Sequence, residues 1–533
     1  MGYAIAYDIG TTGVKTCLFK ISKGIELIDG VYGSYNLYIL ENGGAEQDAE
    51  EWWTALCSTT KALLQKTGLS PDEINGISFC SQMQGLVLVD KNGNALRRPM
   101  SYMDQRSSDV MKKYSGKGIK VAGLGLIKLL TCLAQTHAAP LSVKDPLWKY
   151  LWVKDNEPEV YSKIYKWLDV KEYFICRATG QCVMTKDSAW STLIYDSNNY
   201  CWSKKICRMF KVNPAHLPRV IECYQVSGNL TEKAAAELGL KVGTEVYGGG
   251  GDATLIGVGA GCTNVGDTHI YSGTSGWVGT VTDKQLVDAT HSIAATMGPV
   301  KGRFNYFAEM ETAGKCFEWV KEHLALDEIG IYLKKQDVAE SKESEYESLY
   351  DYLSDTIKRI PAGSNGVVFT PWLHGNRCPF EDPNAAGVFF NINIDTGKTQ
   401  MIRAVLEGIC FHLRWMLEVE ELKVQTSDVI RFVGGGALSD VICQILADIT
   451  GRKIETVEHA QDVGAVGAAM LVGLGCGLIP SIDKVKNFVK VKKIFIPNLA
   501  NKTVYDRNFK VFKSIYSANK KLFKEINRKE INS

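Results

Sequence analysis

The sequence predicts an α/β protein of two related lobes, and three observations lead to that class. At 533 residues the chain exceeds what one hydrophobic core organises. A strand, glycine turn, strand unit occurs twice, as YAIAYDIGTTGVKTCLF over residues 3–19 and as DTHIYSGTSGWVGTV over 267–281. Each copy opens a half that continues into further strands and helices, which sets a lobe boundary near residue 260.

Taken in order, Tyr3–Tyr7, Val14–Ile21 and Ile25–Ile39 are apolar runs separated by turn residues, and they predict three antiparallel strands with a break at Asp29 and Gly30. Asp48-Ala-Glu-Glu51 has the pattern of a capping box and opens a helix with Trp52, Leu56, Leu63 and Leu64 on one side. A buried strand at Ile77–Ser81 follows. Asn92-Gly93 between Val87–Asp90 and Leu96 predicts a hairpin. In the second half, IRFVGGGALSDVICQILADITG from Ile430 is a strand, glycine turn, helix unit with Ile442, Ile445, Leu446 and Ile449 inward. The uncharged run Val463–Pro480 carries five glycines and predicts a buried helix rather than a membrane span. A terminal helix over 501–533 places Tyr505, Phe509, Phe512, Tyr516, Phe523 and Ile526 at helical spacing, with a solvated basic face.

Lys plus Arg number 61 against 59 Asp plus Glu, a net charge of +2, which disfavours nucleic acid and other polyanions as partners. The 15 cysteines are scattered without zinc-site spacing and are expected to be reduced and mostly buried. The beginning MGYAIAYDIG has no cationic segment before a long apolar stretch, so a cytoplasmic location without membrane attachment is expected. Oligomeric state stays open, with a homodimer allowed.

The glycine turns carry the chemistry. In Asp8-Ile-Gly-Thr-Thr-Gly13 the backbone N–H groups and the hydroxyls of Thr11 and Thr12 can converge on a phosphate, because the glycines have no Cβ in the way. Asp8 ends the preceding strand, where it could hold a hydrated magnesium ion, and Lys15 could add charge or merely be exposed. Gly273-Thr274-Ser275-Gly276 is a matching cradle, and two facing cradles would grip a polyphosphate. Gly434–Gly436 before a helix offers flat backbone for an adenine or ribose. Gly248-Gly-Gly-Gly-Asp252 projects Asp252 between the lobes, either as a general base or as a cap on the next helix.

YDIGTTGVK, SQMQG, GGGGDATLIGVGAG, YSGTSGW, GVFFNI with IRAVLEG, and FVGGGALSD, in this order over residues 1–500, resemble the FGGY carbohydrate kinases, particularly the xylulokinase branch. The resemblance implies two RNase H-like lobes of the actin-like ATPase superfold, residues 1–259 and 260–500, closing over a sugar with magnesium-ATP as donor. It makes Asp252 the catalytic base and Asp8 a magnesium-associated carboxylate, Asp252 also lying at the metal. Thr11, Thr12, Gly273 and Thr274 become phosphate contacts, while Gly435, Gly436 and Ser439 line the nucleotide end. Gln82, Met83, Gln84, Tyr102 and Asp104 become the sugar wall. The implied reaction is D-xylulose to xylulose 5-phosphate, with ribulose, erythritol, L-xylulose or gluconate as alternative acceptors.

This chain departs from the family pattern around the sugar. Gln84 stands where xylulokinases usually have the histidine of QMHG, and Ala253 where an amide follows the aspartate. Asn376 and Cys378 depart from GERTP, while Arg377 and Pro379 remain. One of Trp52 and Trp53 packs inward and the other either joins the core or covers the sugar mouth. His291, His374 and His412 have no ligand spacing and read as satisfied, partly buried histidines. Two other classes share part of the pattern: a non-catalytic sugar and nucleotide binder, and an actin-like ATPase that polymerises or acts as a chaperone.

Overall fold

The computed structural model describes residues 1–324 and 349–527. Its first sheet is built on β1 (Gly2–Ile9), β2 (Gly13–Ile21) and β3 (Ile25–Ser34), an antiparallel meander with Asp8 opposite Lys15 at the turn. The expected break at Asp29 and Gly30 is a bulge: the ladder slips by one residue beside Leu18 and the strand continues. Helix α1 (Ala49–Thr67) starts at Asp48, whose carboxylate accepts from the N–H groups of Glu50 and Glu51. The reciprocal half of the capping box is absent, because Glu51 turns to the Tyr38 hydroxyl and Asn36 instead. Strands β4 (Ile74–Ser81) and β5 (Glu245–Tyr247) then add in parallel, giving the order β5-β4-β1-β2-β3. Helix α2 (Asp252–Gly259) leaves this sheet towards the second lobe.

The second sheet repeats the first. Strands β6 (Thr268–Ser272), β7 (Gly276–Thr282) and β8 (Phe304–Met310) form the meander, and β9 (Val429–Val433) and β10 (Lys453–Val457) add in parallel. The order is β10-β9-β6-β7-β8. The repeated hairpin read from the sequence is therefore the first pair of strands in two sheets of the same topology. Between β9 and β10, α3 (Asp440–Thr450) is capped by Ser439, whose Oγ accepts from Ile442 N–H.

Two helices meet between the lobes. Helix α4 (Val463–Gly475) follows β10 yet packs on β1, β2 and β4 of the first sheet, while α2 follows β5 and touches both β4 of the first sheet and β6 of the second. They cross at glycines: a Cβ on Gly259 would fall 1.9 Å from the Val463 carbonyl, and one on Gly467 would fall 2.3 Å from that of Leu255. Of the glycines in the 463–480 run, Gly467 thus serves a close helix crossing. No helix among the described residues is long and apolar enough to cross a membrane. The main core consequently runs through both lobes, joining Ala4, Phe19 and Ile21 to Ile270, Phe432 and Leu471.

A separate core, absent from the sequence reading, fills the 85–220 region around Leu86, Trp148, Tyr150, Trp167 and Phe210. Val87–Val89 pairs there with Lys166–Leu168, and the Asn92-Gly93 turn closes back only as the single bridge Val89 to Ala95. The terminal helix α5 (Lys502–Ile526) is part of the second lobe: Phe509 stacks on Phe411, Phe512 packs tilted against it, and Phe512 also meets Trp415. Ile526 at its end is exposed, contrary to the inward face expected of it.

Candidate active site

The site forms where the two meanders face one another. Asp8 is the last charged residue of β1, and Tyr271 holds the equivalent position on β6, each followed by one residue and its glycine turn. Gly10 N–H bonds to Gly13 C=O at 2.9 Å and Gly273 N–H to Ser275 C=O at 3.0 Å, so each turn is closed by its first glycine, the second turn one residue tighter. Thr12 and Thr274 are exposed at the tips, and Thr11 is half-buried with Oγ1 3.4 Å from the Tyr102 hydroxyl. The carbonyls of Gly273 and Thr274 accept from Gly314 and Ala313 N–H at 2.8 and 3.1 Å, which fixes the second turn against the helix Gly314–His323.

Asp252 is the first residue of α2, and its Oδ1 accepts from Ala253 N–H at 2.8 Å. The carboxylate thus bonds the N–H beside it, while the residue at the cap position of α2 is Gly251. Burial pushes its pKa up to about 7, with the negative charges of Asp8, Glu309 and Asp169 acting in the same direction. Burial likewise lifts Asp8 to about 6 against the pull of Lys15 and a hydrogen bond from the Cys80 thiol. Burial and then the charges of Asp8 and Asp252 raise the Tyr271 hydroxyl as well. Asp252 thus feels the charge of Asp8 and is felt by Tyr271, and the Gly250-Gly251 pair before it runs beside Cys80 and Ser81, the first of which is Asp8's partner on the neighbouring strand.

Other expected residues are distributed around this region. Lys15 is ion-paired with Asp462 at 2.7 Å, just ahead of α4. Gly435 lies exposed and Gly436 half-buried in the turn after β9, packed on Ser272, where a Cβ on Gly436 would come 2.9 Å from the serine Oγ. Ser439 is half-buried and its Oγ lies 3.1 Å from that of Ser354. Gln82 donates to Gln47 at 3.0 Å, and Gln47 donates to the Thr11 carbonyl at 2.6 Å, linking the SQMQG turn to the first glycine turn. The Gln82 Oε1 is buried with no partner. Met83 covers Gly251, whose Cβ would meet its Sδ at 2.2 Å.

Gln84 has a left-handed backbone, φ 64°, held by Asp169 on its N–H at 2.9 Å and by Lys149 on its carbonyl at 2.8 Å. Tyr102 is exposed at the mouth. Asp104 is fully buried and gripped by Arg106, its Oδ2 also accepting from Ala45 N–H at 2.9 Å, so its carboxylate shapes the loop from behind the cleft surface.

The sequence reading missed Gln47, Lys149, Asp169, Tyr271 and Glu309. Tyr271 had a usable signal, its alignment with Asp8 in the repeated hairpin; the others come from segments without a motif. Arg377 pairs with Glu309 at 2.5 Å on the second lobe's side of the cleft. Trp52 and Trp53 are both buried, Trp53 donating to Glu237 at 2.7 Å, so neither covers the mouth. His412 is buried between Trp372 and the Cys378 carbonyl, His291 pairs with Asp288, and His374 is exposed rather than partly buried.

Known proteins share the fold that carries this region. The chain is 28% identical over 512 residues to a xylulose kinase of Staphylococcus epidermidis, covering 96% of each chain. It is 26% identical over 499 residues to a gluconokinase of Bacillus subtilis, covering 91% of this chain and 90% of the other. The structure of a ligand-bound xylulose kinase from Lactobacillus acidophilus superposes with a TM-score of 0.83 at 25% identity, covering 97% and 98% of the two chains. Two lobes of one topology around a shared cleft are the actin-like ATPase fold. Residues 3–259 match the N-terminal domain and residues 269–476 the C-terminal domain of the FGGY family of carbohydrate kinases, and this chain belongs to that family.

Proposed function

We propose that the cleft transfers the γ-phosphoryl group of ATP to a hydroxyl of a neutral ketose or polyol, D-xylulose first, with ribulose, erythritol and L-xylulose as alternatives. What supports this reading is that Asp252 feels the charge of Asp8 at the first hairpin and is felt by Tyr271 at the second, while Gly250 and Gly251 ahead of it pair with Cys80 and Ser81 beside the Asp8 strand. In it Asp252 takes the proton of the attacking hydroxyl, and its raised pKa makes it an adequate base near neutrality. The turns around Thr11, Thr12, Gly273 and Thr274 present N–H groups and hydroxyls to phosphate oxygens. Gly435, Gly436 and Ser439 border the nucleotide, and Gln82, Met83, Gln84 and Tyr102 orient the sugar, with Asp104 supporting their loop from behind.

A magnesium ion fits Asp8 and Asp252. The charge of Asp8 adds to the raised pKa of Asp252, a repulsion that a cation relieves, and among the described residues no cluster of three acidic, His or Cys ligands exists. Such a sparse donor set suits an ion that keeps waters and phosphate oxygens as its other ligands. When bound, the ion supplies charge neutralisation for the phosphates.

A neutral acceptor is favoured over an aldonate because the cations of this wall are engaged. Lys149 donates to the Gln84 and Ser101 carbonyls at 2.8 and 2.7 Å, Arg106 holds Asp104 and Glu46, and Arg377 holds Glu309. A coupled ADP-release assay over neutral ketoses, polyols and gluconate tests the reading. ADP release that depends on a neutral sugar supports it; ATP turnover indifferent to sugar, or preference for gluconate, overturns it.

A further inference from the structure

We infer that Asp187, a residue with no contact to substrate, positions the proposed base Asp252 by anchoring the glycine turn in front of it; this rests on the kinase reading above. Asp187 lies on the short helix Lys186–Ser191 of the first lobe and is fully buried. Its Oδ2 accepts from Gly251 N–H at 2.8 Å, the peptide immediately before Asp252. Its Oδ1 accepts from the Thr185 hydroxyl at 2.5 Å and lies 3.7 Å from the Lys171 ammonium, which is itself paired with Glu172 at 2.7 Å. Three fully buried charges thus terminate on one glycine N–H.

Stability alone does not account for such a group, since burying ions costs about as much as their mutual attraction returns. Geometry does. The turn 248–251 has no side chains with which to hold itself, and it is squeezed between neighbours: a Cβ on Gly249 would fall 2.1 Å from the Phe79 carbonyl and one on Gly250 2.8 Å from Leu255. Gly249 also has a φ of 68°, open to glycine and costly to others. Backbone holds part of this run, Gly248 N–H on the Gln225 carbonyl at 2.9 Å and Gly250–Gly251 beside Cys80–Ser81, and the Asp187 carboxylate is the one side-chain acceptor on its N–H groups among the described residues. Lys171 keeps that carboxylate ionised, and holds its pKa below the ordinary value despite burial. Small displacements of a base cost rate rather than affinity.

The charge arithmetic makes the test practicable. Removing Asp187 leaves Lys171 paired with Glu172, so no uncompensated charge remains and Asp187→Ala is expected to fold. Asp187→Asn keeps one acceptor oxygen where two donors converge, and so retains part of the anchor. The experiment measures kcat and KM for ATP and sugar, melting temperature, and amide exchange of the 249–253 segment, in wild type and both variants. Expected are a kcat about a hundredfold lower in Asp187→Ala with both KM values within about threefold, recovery to within about tenfold of wild type in Asp187→Asn, and faster exchange at Gly251 in Asp187→Ala alone. A folded Asp187→Ala with wild-type kcat or unchanged Gly251 exchange overturns the inference, as does a loss confined to KM. Should Asp187→Ala not fold, Asp187→Leu, which fills the volume without an acceptor, decides, a wild-type kcat counting against. Failure of the kinase reading shows differently, as wild-type protein inactive on every sugar, and the exchange measurement still tests the anchor.

Discussion

Gly464 lies against the carboxylate of Asp8: a Cβ built on this glycine of α4 would come 2.8 Å from Asp8 Oδ2 and 2.9 Å from the Cys80 Sγ. The helix that crosses from the second lobe is thus the floor under the first hairpin's acidic residue. Gly464→Ala is expected to push Asp8 off its position or lift the helix, lowering kcat/KM at least about tenfold and the melting temperature by a few degrees. Steady-state kinetics and calorimetry on the purified variant check both; a silent substitution would show that the helix has room to move.

Asp252→Asn is expected to lower kcat about a thousandfold, the range of a lost general base. The same variant should be more stable in alkali. The folded pKa of Asp252, about 7, stands above the ordinary carboxylate value, so its contribution to stability is fully present below about 4 and is lost as pH rises through 7. Abolishing the ionisable group removes that loss, and a melting temperature about 2–4 °C higher at pH 8, with a smaller gain at pH 5, is the expected result.

The same raised pKa sets the pH profile of the free enzyme. The value of kcat/KM for the sugar should fall about tenfold per pH unit below an acid limb near 7, because the base must be unprotonated to act. Saturating magnesium-ATP should move the limb seen in kcat downward, since a cation beside Asp8 and Asp252 favours their charged forms. An identical limb with and without bound nucleotide would separate the metal from Asp252.

Gln84→His tests the sugar wall. The backbone at this position is fixed from both sides by Asp169 and Lys149, so the substitution changes the side chain in an unaltered turn. The ratio of kcat/KM between two ketoses is expected to change about tenfold or more while KM for ATP stays within about twofold. Assays over the same sugar panel give the answer directly.

The two hairpins, the strand, glycine turn, helix unit and the buried nature of residues 463–473 were legible because period and turn chemistry are local properties. What period cannot show is which lobe an all-apolar helix joins: Val463–Gly473 is buried on every side, and nothing in it distinguishes the sheet before it from the sheet it covers. The separate core of 85–220 escaped for a related reason, since its aromatic residues sit on short, irregular elements. Lys149, Lys171 and Asp187 read as surface charges in a sequence, and only the fold turns them inward against one another and against backbone. Asp104 shows the converse: a carboxylate suited to a hydroxyl is consumed by Arg106 two residues away.

The crossing helices also bear on how the chain is made. A ribosome that has released only residues 1–260 has produced a sheet whose apolar face must wait for a cover synthesised some two hundred residues later. Until that segment arrives, Ala4, Ala6 and Phe19 remain open to water or to a chaperone. Severing the protein between its halves would therefore yield two sticky fragments rather than two small proteins, and mixing them should restore what neither achieves alone.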